Sequence, residues 1–244
     1  MNLLIDMGNT RLKWAVSNGL DVTIGQAIGN VEINHDDLVR LWQAITPPNQ
    51  IAISCVSAKQ LLGLVISVVD ELWPKITIIQ AISQAQGFGI TNAYQEPEKL
   101  GVDRWLSMTA AFHKYRTALC IVGCGTAITV DVVDASGKHL GGLINPGLRL
   151  MKEGLVKGTE NLSLSETVFP YGLAANTDAA IHNGTLSAAC GFIEFVLNNQ
   201  PDKLQLVLTG GDAEIIALHL SQTSIINPDL VLDGLAITLF REPI

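Results

Sequence analysis

The sequence has little charge and few aromatic residues for its length. Charged residues make up 16% and aromatic residues 5% of the 244 positions, whereas hydrophobic residues make up 48%. Such a composition indicates a well-buried globular protein in which no disordered region is required, and the length suffices for two compact α/β lobes.

The sequence also has no cluster of basic residues and no long apolar run. Its net charge of -8 and isoelectric point near 5.0 argue against nucleic acids or anionic membranes as partners, since both need clustered Lys and Arg. No window reaches about 18 uninterrupted apolar residues, and no basic region precedes a long apolar stretch. We therefore expect neither a membrane span nor a signal peptide, and a cytoplasmic location.

Cysteine and histidine are scarce and scattered. The four cysteines form neither a CxxC pair nor a disulfide-like framework, and the five histidines lack metal-ligand spacing. These patterns favour buried free thiols and structural histidines. The residues concerned are Cys55, Cys120, Cys124, Cys190, His35, His113, His139, His182 and His219.

An apolar strand that ends in a carboxylate opens the sequence. Residues 3–5 run directly into Asp6, a turn follows at residues 8–10, and a second apolar run resumes at Leu12. This pattern predicts a buried strand, a tight turn and a returning strand, with Asp6 at the mouth of the first strand. A carboxylate in that position needs a group that solvates it.

Phosphate binding is a chemistry that this turn can support. Gly8 lets the backbone approach an anion, nearby amides can point at phosphate oxygens, and Thr10 and Lys13 can add a hydroxyl group and a charge. Asp6 can hold a hydrated magnesium ion. The alternative is a plain two-residue hairpin capped by Asp6, and the stretch alone does not decide between them.

The same pattern recurs about half a chain later. When Gly8 is set against Gly125, residues 4–10 align with residues 121–127. A third apolar segment, residues 204–212, reads as a buried strand that ends in a glycine-rich turn before an apolar helix. Three glycine turns at strand ends indicate one nucleotide held between two related halves.

Strands and helices alternate along the rest of the chain, which indicates an α/β protein of two lobes, at residues 1–115 and 116–244. Further strands are predicted at 21–28, 51–56, 76–79, 118–122, 130–133 and 141–147. Helices are predicted at 35–45, 59–72, 103–115, 148–156, 177–198 and 213–220.

Asp103 and Arg104 are predicted in the first turn of a helix. Asp103 alone could be an ordinary N-cap. Arg104 is less expected, because a cation beside the positive end of a helix dipole is unfavourable by a few tenths of a kcal/mol unless a partner compensates it. A carboxylate-bearing substrate would be such a partner, and Asp103 could then act as a general base toward its hydroxyl group.

Six motifs occur in the order and at the spacing seen in type III pantothenate kinases, which the chain resembles over essentially its whole length. Any one motif is weak, but six in order are a specific signal. The motifs are Asp6-x-Gly8-Asn9-Thr10-x-x-Lys13, Gly101-x-Asp103-Arg104-Trp105, Gly125-Thr126-Ala127-x-Thr129-x-Asp131, Gly141-Gly142-x-Ile144-x-Pro146-Gly147-x-x-x-Met151, Asn176-Thr177-x-x-Ala180 and Thr209-Gly210-Gly211-Asp212-Ala213.

The resemblance implies the two-lobed actin-like ATPase (ribonuclease H-like) fold, with a mixed sheet and helices in each lobe. It also implies transfer of the ATP γ-phosphoryl group to pantothenate, the first step toward coenzyme A. Asp6 would help to position magnesium through water. The ATP-binding residues implied by the resemblance are Asp6, Met7, Gly8, Asn9, Thr10, Arg11, Leu12, Lys13, Thr126, Gly210 and Gly211.

The resemblance further assigns the pantothenate site, with Asp103 as the catalytic base and Arg104 holding the substrate. Thr177 would reach this site from the second subunit of a homodimer. The predicted helix at 177–198 has a face of small residues that permits close packing across a dimer. The substrate-binding residues implied are Tyr94, Gly101, Val102, Asp103, Arg104 and Thr177.

One position departs from the family pattern. Many members carry an aspartate three residues before the equivalent of Thr126, where this chain has Gly123. In the family that aspartate is associated with potassium or ammonium, so the requirement for a monovalent cation is in doubt. Two alternatives to the pantothenate kinase stay open: a phosphotransferase with another hydroxyl acceptor, and a nucleotide-binding regulatory or accessory protein that has lost efficient catalysis.

Overall fold

Two five-stranded sheets organise the chain in the computed structural model, which describes residues 1–56, 59–158 and 167–240. The first compact unit comprises Met1–Arg116, Gly137–His139 and the segment that begins at Asp229. The second comprises Thr117–Ser136 and Leu140–Pro228.

The first unit combines one large sheet, a two-stranded ribbon and four helices among its described residues. Its strands are β1 (Asn2–Met7), β2 (Arg11–Asn18), β3 (Asp21–Gly29), β4 (Gln50–Cys55), β5 (Thr77–Gln80), β6 (Gln86–Gly87) and β7 (Ile90–Thr91). Its helices are α1 (His35–Trp42), α2 (Lys59–Leu72), α3 (Val102–Tyr115) and α7 (Leu230–Phe240), and a 3-10 turn lies at Pro97–Lys99.

The second unit holds the other sheet. Its strands are β8 (Leu119–Cys124), β9 (Ala127–Val133), β10 (His139–Pro146), β11 (Gln205–Thr209) and β12 (Ser224–Ile226), except that His139, the first residue of β10, belongs to the first unit. Its helices are α4 (Leu148–Lys157), α5 (Thr177–Asn198) and α6 (Ala213–Ala217).

The two sheets share one strand order, as the aligned hairpins predict. The first is ordered β3-β2-β1-β4-β5 and the second β10-β9-β8-β11-β12. In each sheet the first strand of the hairpin pairs antiparallel with the second and parallel with a later strand. Asp6 and Gly123 therefore take equivalent positions, each two residues before the turn glycine.

Alternating burial explains how the first sheet is covered. Leu3 and Ile5 belong to one apolar core together with residues of α1 and α2, among them Trp42 and Val65. Leu4 points to the opposite face because successive side chains of a strand alternate, and α7 contacts β1 and β4. Strand β1 is thus buried on both faces of the sheet, which suits its nearly continuous apolar sequence.

The sequence-based division at residues 115 and 116 differs from the observed units at the end of the chain. Sequence order places every later residue in the second lobe, but α7 packs on α3 inside the first unit. A Cβ atom at Gly234 would lie 2.4 Å from the carbonyl oxygen of Leu106, so glycine permits this close approach. Gly137–His139 joins the first unit in the same way.

Among the described residues, α5 is the one helix long and apolar enough to cross a membrane by length and composition. Such a helix is weak evidence for a span, because core helices of globular proteins pass the same test. Leu186, Ala189 and Ile193 of α5 belong to the buried core that also contains side chains of β8, β9 and β11. Within the second unit, α5 therefore serves as a core helix.

The cysteines are free thiols. Cys120, Cys124 and Cys190 are buried, as predicted, and Cys55 is half-buried. Burial raises the pKa of the Cys120 and Cys124 thiols to about 12, so both stay protonated and unreactive near neutral pH.

Candidate active site

Asp6 lies near the end of β1, where it pairs with Lys13 of β2 and Ser54 of β4. Its Oδ1 atom is buried and has no hydrogen-bond partner among the described residues. Burial raises the pKa of Asp6 to about 6; the hydroxyl group of Ser54 lowers it, the charge of Asp103 raises it, and the charge of Lys13 lowers it. Asp6 is therefore close to a second carboxylate and to a cation.

The turn after Asp6 is held by backbone and side-chain hydrogen bonds. The Gly8 N–H group donates to the Arg11 carbonyl oxygen at 3.0 Å, and Asn30 Nδ2 donates to the Gly8 carbonyl oxygen at 2.8 Å. Asn9 and Thr10 are exposed at the tip. No local motif indicates Asn30, because its hydrogen bond depends on the return of β3 beside the turn.

The predicted ATP-binding residues of this loop fall into two kinds. Met7 and Leu12 are fully buried in the apolar core, so only their backbone atoms can serve a ligand. Lys13 is partly exposed, and its Nζ atom lies 3.6 Å from Oδ1 of Asp229, a partner too distant in the sequence for a local motif to indicate. Lys13 thus lies close to two carboxylates, those of Asp6 and Asp229, and an incoming phosphate would compete with them for its charge.

Most of the predicted substrate residues meet at the start of α3. Gly101 is the N-cap, with no side chain to cap the helix, so Asp103 is not the N-cap. A Cβ atom at Gly101 would lie 2.6 Å from Oδ1 of Asp103. The carboxylate thus folds back over Gly101, beside Val102, and a larger residue at 101 would displace it.

Arg104 and Tyr94 form a pair in the same unit. Arg104 is 6% exposed, and its Nη1 atom donates to the hydroxyl oxygen of Tyr94 at 2.8 Å. The guanidinium carbon lies 5.6 Å from the centre of the Tyr94 ring. An oxygen that accepts from a guanidinium group can still donate its own hydrogen to a ligand.

In the second unit, two glycines press against the loop at residues 124–126. A Cβ atom at Gly147 would lie 2.1 Å from the carbonyl oxygen of Gly125, and one at Gly210 would lie 2.3 Å from that of Cys124. The Gly147 N–H group also donates to the Thr126 carbonyl oxygen at 2.9 Å. These approaches bring predicted nucleotide residues Thr126 and Gly210 into one neighbourhood.

Gly123 occupies the position that corresponds to Asp6 in the first unit. A Cβ atom on Gly123 would lie 2.6 Å from the hydroxyl oxygen of Thr129, the residue opposite it in the β8–β9 pair. The Thr129 hydroxyl group therefore fills the space that a side chain at 123 would enter. The other predicted residues of this unit, Gly211 and Thr177, are exposed, the latter as the first residue of α5.

Comparisons with known proteins bear on this geometry. The sequence model for type III pantothenate kinase matches residues 2–199. The type III pantothenate kinase of Nitrosococcus oceani is 37% identical over 247 aligned residues, which cover 97% of this chain and 92% of that protein. The chain belongs to the type III pantothenate kinase family.

Solved structures support the fold of this family. A Campylobacter jejuni protein provisionally assigned as a Baf family transcriptional activator has a TM-score of 0.59 at 20% identity, with 97% of this chain and 98% of that chain covered. The activator of 2-hydroxyisocaproyl-CoA dehydratase from Clostridium difficile has a TM-score of 0.58 at 12% identity, with 98% and 94% covered. At such identities the likeness concerns the fold alone, which is the actin-like ATPase fold.

A type III pantothenate kinase needs ATP and a divalent metal, and the surroundings of Asp6 fit magnesium. The buried Oδ1 atom without a hydrogen-bond partner is a hard oxygen ligand of the kind that Mg²⁺ prefers, directly or through water. The described residues contain no group of three or more His, Cys, Asp or Glu side chains that could form a metal site by themselves. One carboxylate completed by water and phosphate oxygens is the usual arrangement for nucleotide-bound magnesium.

Asp6→Asn is expected to stabilise the ligand-free protein above pH 6. The folded-state pKa of about 6 exceeds the unfolded value near 3.8, so the wild type loses stability as pH rises between them, whereas an amide does not. We expect the variant to gain about 1–3 kcal/mol in free energy of unfolding above pH 6 and almost nothing near pH 4. Urea unfolding without magnesium or nucleotide measures this, with exposed Asp21→Asn as control; a difference that does not vary with pH would contradict it.

Proposed function

We propose that the chain transfers the γ-phosphoryl group of ATP to the primary hydroxyl group of pantothenate, giving 4'-phosphopantothenate and ADP in the first step of coenzyme A synthesis. One observation carries this proposal. A carboxylate, Asp103, and a buried guanidinium group, Arg104, stand side by side at the start of α3, and the charge of Asp103 acts on Asp6. These two groups suit a hydroxy acid, since the carboxylate can accept the proton of its hydroxyl group and the guanidinium group can bind its carboxylate.

The substrate side works through Asp103 and Arg104. Arg104 pairs with the pantothenate carboxylate, a contact that a guanidinium group can make through two parallel hydrogen bonds. The hydroxyl oxygen forms a bond to the γ-phosphorus, the bond from that phosphorus to the β–γ bridging oxygen breaks, and the hydroxyl proton passes to the Asp103 carboxylate. In a loose transition state this proton moves late, so Asp103 needs hydrogen-bond reach rather than a large pKa shift.

The ATP side works through the two glycine loops. The Gly8 and Gly125 N–H groups already donate to the carbonyl oxygens of Arg11 and Ala127, so the backbone amides of residues 9–10 and 126 serve as phosphate ligands, and Lys13 adds positive charge. Magnesium, when bound, contributes further positive charge at the phosphate oxygens. Residues Gly210 and Gly211 contact the adenosine in this proposal. The backbone hydrogen bonds that hold these exposed turns mean that little reorganisation is needed during phosphoryl transfer.

Gly123 lacks the side-chain carboxylate that the family pattern offers to a monovalent cation. Glycine supplies no side-chain oxygen, and the Thr129 hydroxyl group takes up the space above it. We therefore propose catalysis without potassium or ammonium.

Release of ADP by the purified protein tests the function and this cation prediction together. With magnesium, ATP and pantothenate in sodium buffer, we expect pantothenate-dependent turnover that changes less than about twofold when potassium or ammonium is added. Turnover that needs the cation would contradict the interpretation of Gly123. No turnover in any buffer, with ATP binding intact, would refute the kinase proposal and favour a nucleotide-binding accessory protein.

Arg104→Ala is expected to weaken the binding of pantothenate far more than the binding of ATP. Loss of a charge-assisted pair should raise the pantothenate KM by about 100-fold and leave the ATP KM within about threefold. Steady-state kinetics with each substrate varied in turn measures both. Arg116→Ala is a matched control, since Arg116 ends the same helix and stacks on Phe112. Equal effects of Arg104→Ala on both KM values would contradict the proposed contact between Arg104 and pantothenate.

We also infer a homodimer in which Thr177 completes the partner's substrate site. The small residues of α5 give this support because they are exposed, and Cβ atoms at Gly184 and Gly191 would meet nothing within 4 Å. A second helix could approach such a face closely. The residues of this face are Ala180, Gly184, Ser187, Ala188 and Gly191.

A further inference from the structure

A short corner from the middle of the chain is built into the unit that holds the proposed substrate residues. The corner begins at Asp134, whose carboxylate accepts hydrogen bonds from the backbone and the hydroxyl group of Ser136 at 2.8 and 2.6 Å. Gly137–His139 then joins the first unit, and His139 is fully buried there. A polar ring that is completely buried in this way needs a reason.

Close contacts restrict the backbone position of the corner at Gly137. Gly137 has φ of +89°, and a Cβ atom on it would overlap the carbonyl oxygen of Gly89. The Thr91 N–H group donates to the Gly137 carbonyl oxygen at 2.9 Å. Because these contacts are backbone contacts, they fix the position of His139, two residues further on, within narrow limits.

His139 contacts the segment that carries Tyr94. The Ala93 N–H group donates to Nδ1 of His139 at 3.4 Å, so in the neutral ring the hydrogen is on Nε2. The rings of His139 and Tyr94 are nearly parallel, at 15°, with centres 6.2 Å apart. The hydroxyl oxygen of the same tyrosine accepts from Arg104 at 2.8 Å. A chain of contacts thus runs from the buried imidazole to the guanidinium group.

We propose that His139 is a positioning residue for the substrate pocket: it holds Tyr94, and through it the guanidinium group of Arg104, in the orientation that receives the substrate carboxylate. This inference rests on the proposed function. It adds a residue that does not touch the substrate and that comes from outside the motifs of the pocket.

The backbone of Tyr94 is held by hydrogen bonds that do not involve His139. The position of the loop and the orientation of the Tyr94 ring can therefore be tested separately. Asn92 Oδ1 accepts from the Tyr94 N–H group at 3.0 Å, and Asn92 Nδ2 donates to carbonyl oxygens of Gln84 and Pro97 at 3.1 and 3.3 Å. Loss of the imidazole should therefore leave the loop in place and free the Tyr94 ring. Substrate affinity should suffer while ATP binding and the chemical step do not.

Three substitutions test the inference by kinetics. His139→Leu should raise the pantothenate KM about tenfold, with the ATP KM and kcat within about twofold. His139→Asn, which keeps an acceptor, and His139→Phe, which keeps a ring, should each restore part of the affinity, and they keep the test decisive if the leucine variant does not fold. His219→Leu is the matched control, because it breaks a Tyr–His stack with Tyr171 in the second unit. A pantothenate KM unchanged in all three variants, or equal changes in both KM values, would overturn the inference.

A measurement without turnover separates this inference from the proposed function. Amide hydrogen exchange of Ala93 should be about tenfold faster in His139→Leu than in the wild type, because its acceptor is gone, while the Tyr94 amide bound to Asn92 stays protected. Unchanged exchange at Ala93 would overturn the positioning role. Absence of pantothenate-dependent turnover in the wild type would refute the proposed function instead, and the exchange result would stand.

Discussion

Asp103→Asn is expected to lower kcat by about 100- to 10,000-fold, the range typical of a lost general base, while the protein folds normally and binds ATP. The amide has the size of the carboxylate but cannot accept the substrate proton. Its place over Gly101, 2.6 Å from where a Cβ atom would be, is open to the amide without rearrangement. The loss should therefore appear in kcat rather than in stability.

A second effect of the same substitution is independent of catalysis. The negative charge of Asp103 helps to raise the pKa of Asp6, so Asp103→Asn should lower that pKa from about 6 toward its ordinary value. The loss of stability with rising pH should accordingly shift to lower pH and become smaller. Urea unfolding across pH 4–8 measures this shift alongside the kinetic assay.

Asp36→Asn provides the matched control for Asp103→Asn. Asp36 is the second residue of α1, as Asp103 is the second of α3, so both changes remove one charge from a helix N-terminus. The control should cost a few tenths of a kcal/mol in stability and leave turnover unchanged. If the Asp103→Asn variant turns over within about threefold of the wild type, Asp103 is not the general base.

Local patterns of the sequence predicted much of the fold. The alignment of Gly8 with Gly125 predicted two related halves, and the sheets have the same strand order. The helix predicted to start at residue 35 does start there, and the side chain of Asn34 caps it by accepting from the Asp37 N–H group at 3.0 Å. Such features depend on residues close in sequence, whose spacing carries the information directly.

Helix ends were predicted less well, for a physical reason. The apolar periodicity of α1 continues to Ile45, but the helix ends at Trp42, and the Ile45 N–H group donates to the Trp42 carbonyl oxygen in a tightened turn with a bond between residues three apart. Similarly, α6 ends at Ala217, while His219 continues in such turns. Apolar side chains can keep helical spacing through a tightened final turn, so periodicity alone overestimates the helix.

In the candidate site, too, features that depend on nearby residues were predictable from the sequence, whereas contacts between distant elements were not. Asp6, Asp103 and Arg104 could be found from their motifs, because each stands at a strand end or a helix start. The residues that hydrogen-bond to, pair with or orient the groups of the site could not be found in this way. Asn30 and Asp229 act across elements, and His139 reaches Tyr94 from 45 positions away in the sequence. Only the packed structure brings these partners together.

Gly210→Ala is expected to lower the free energy of unfolding strongly. Among the described glycines of the nucleotide loops, with Gly147 set aside, it should have the largest effect of any glycine-to-alanine change. Gly210 has φ of +100°, where an L-residue is strained by about 1–3 kcal/mol. The new Cβ atom would also lie 2.3 Å from the Cys124 carbonyl oxygen and 2.7 Å from its carbon. Those atoms belong to the backbone, so either the loop at 124–126 or the turn at 210 must move.

The two penalties can be separated with Gly172→Ala. Gly172 has φ of +139°, but a Cβ atom there would meet nothing within 4 Å. We expect Gly172→Ala to lose about 1–2 kcal/mol and Gly210→Ala at least about 2 kcal/mol more, from the added overlap. Only Gly210→Ala should also reduce the stabilisation by ATP, since it displaces the loop that carries Thr126. Thermal unfolding with and without ATP and magnesium measures both effects, and equal losses with equal ATP stabilisation would show that the loop tolerates displacement and that its close approach to Gly210 does not position the nucleotide.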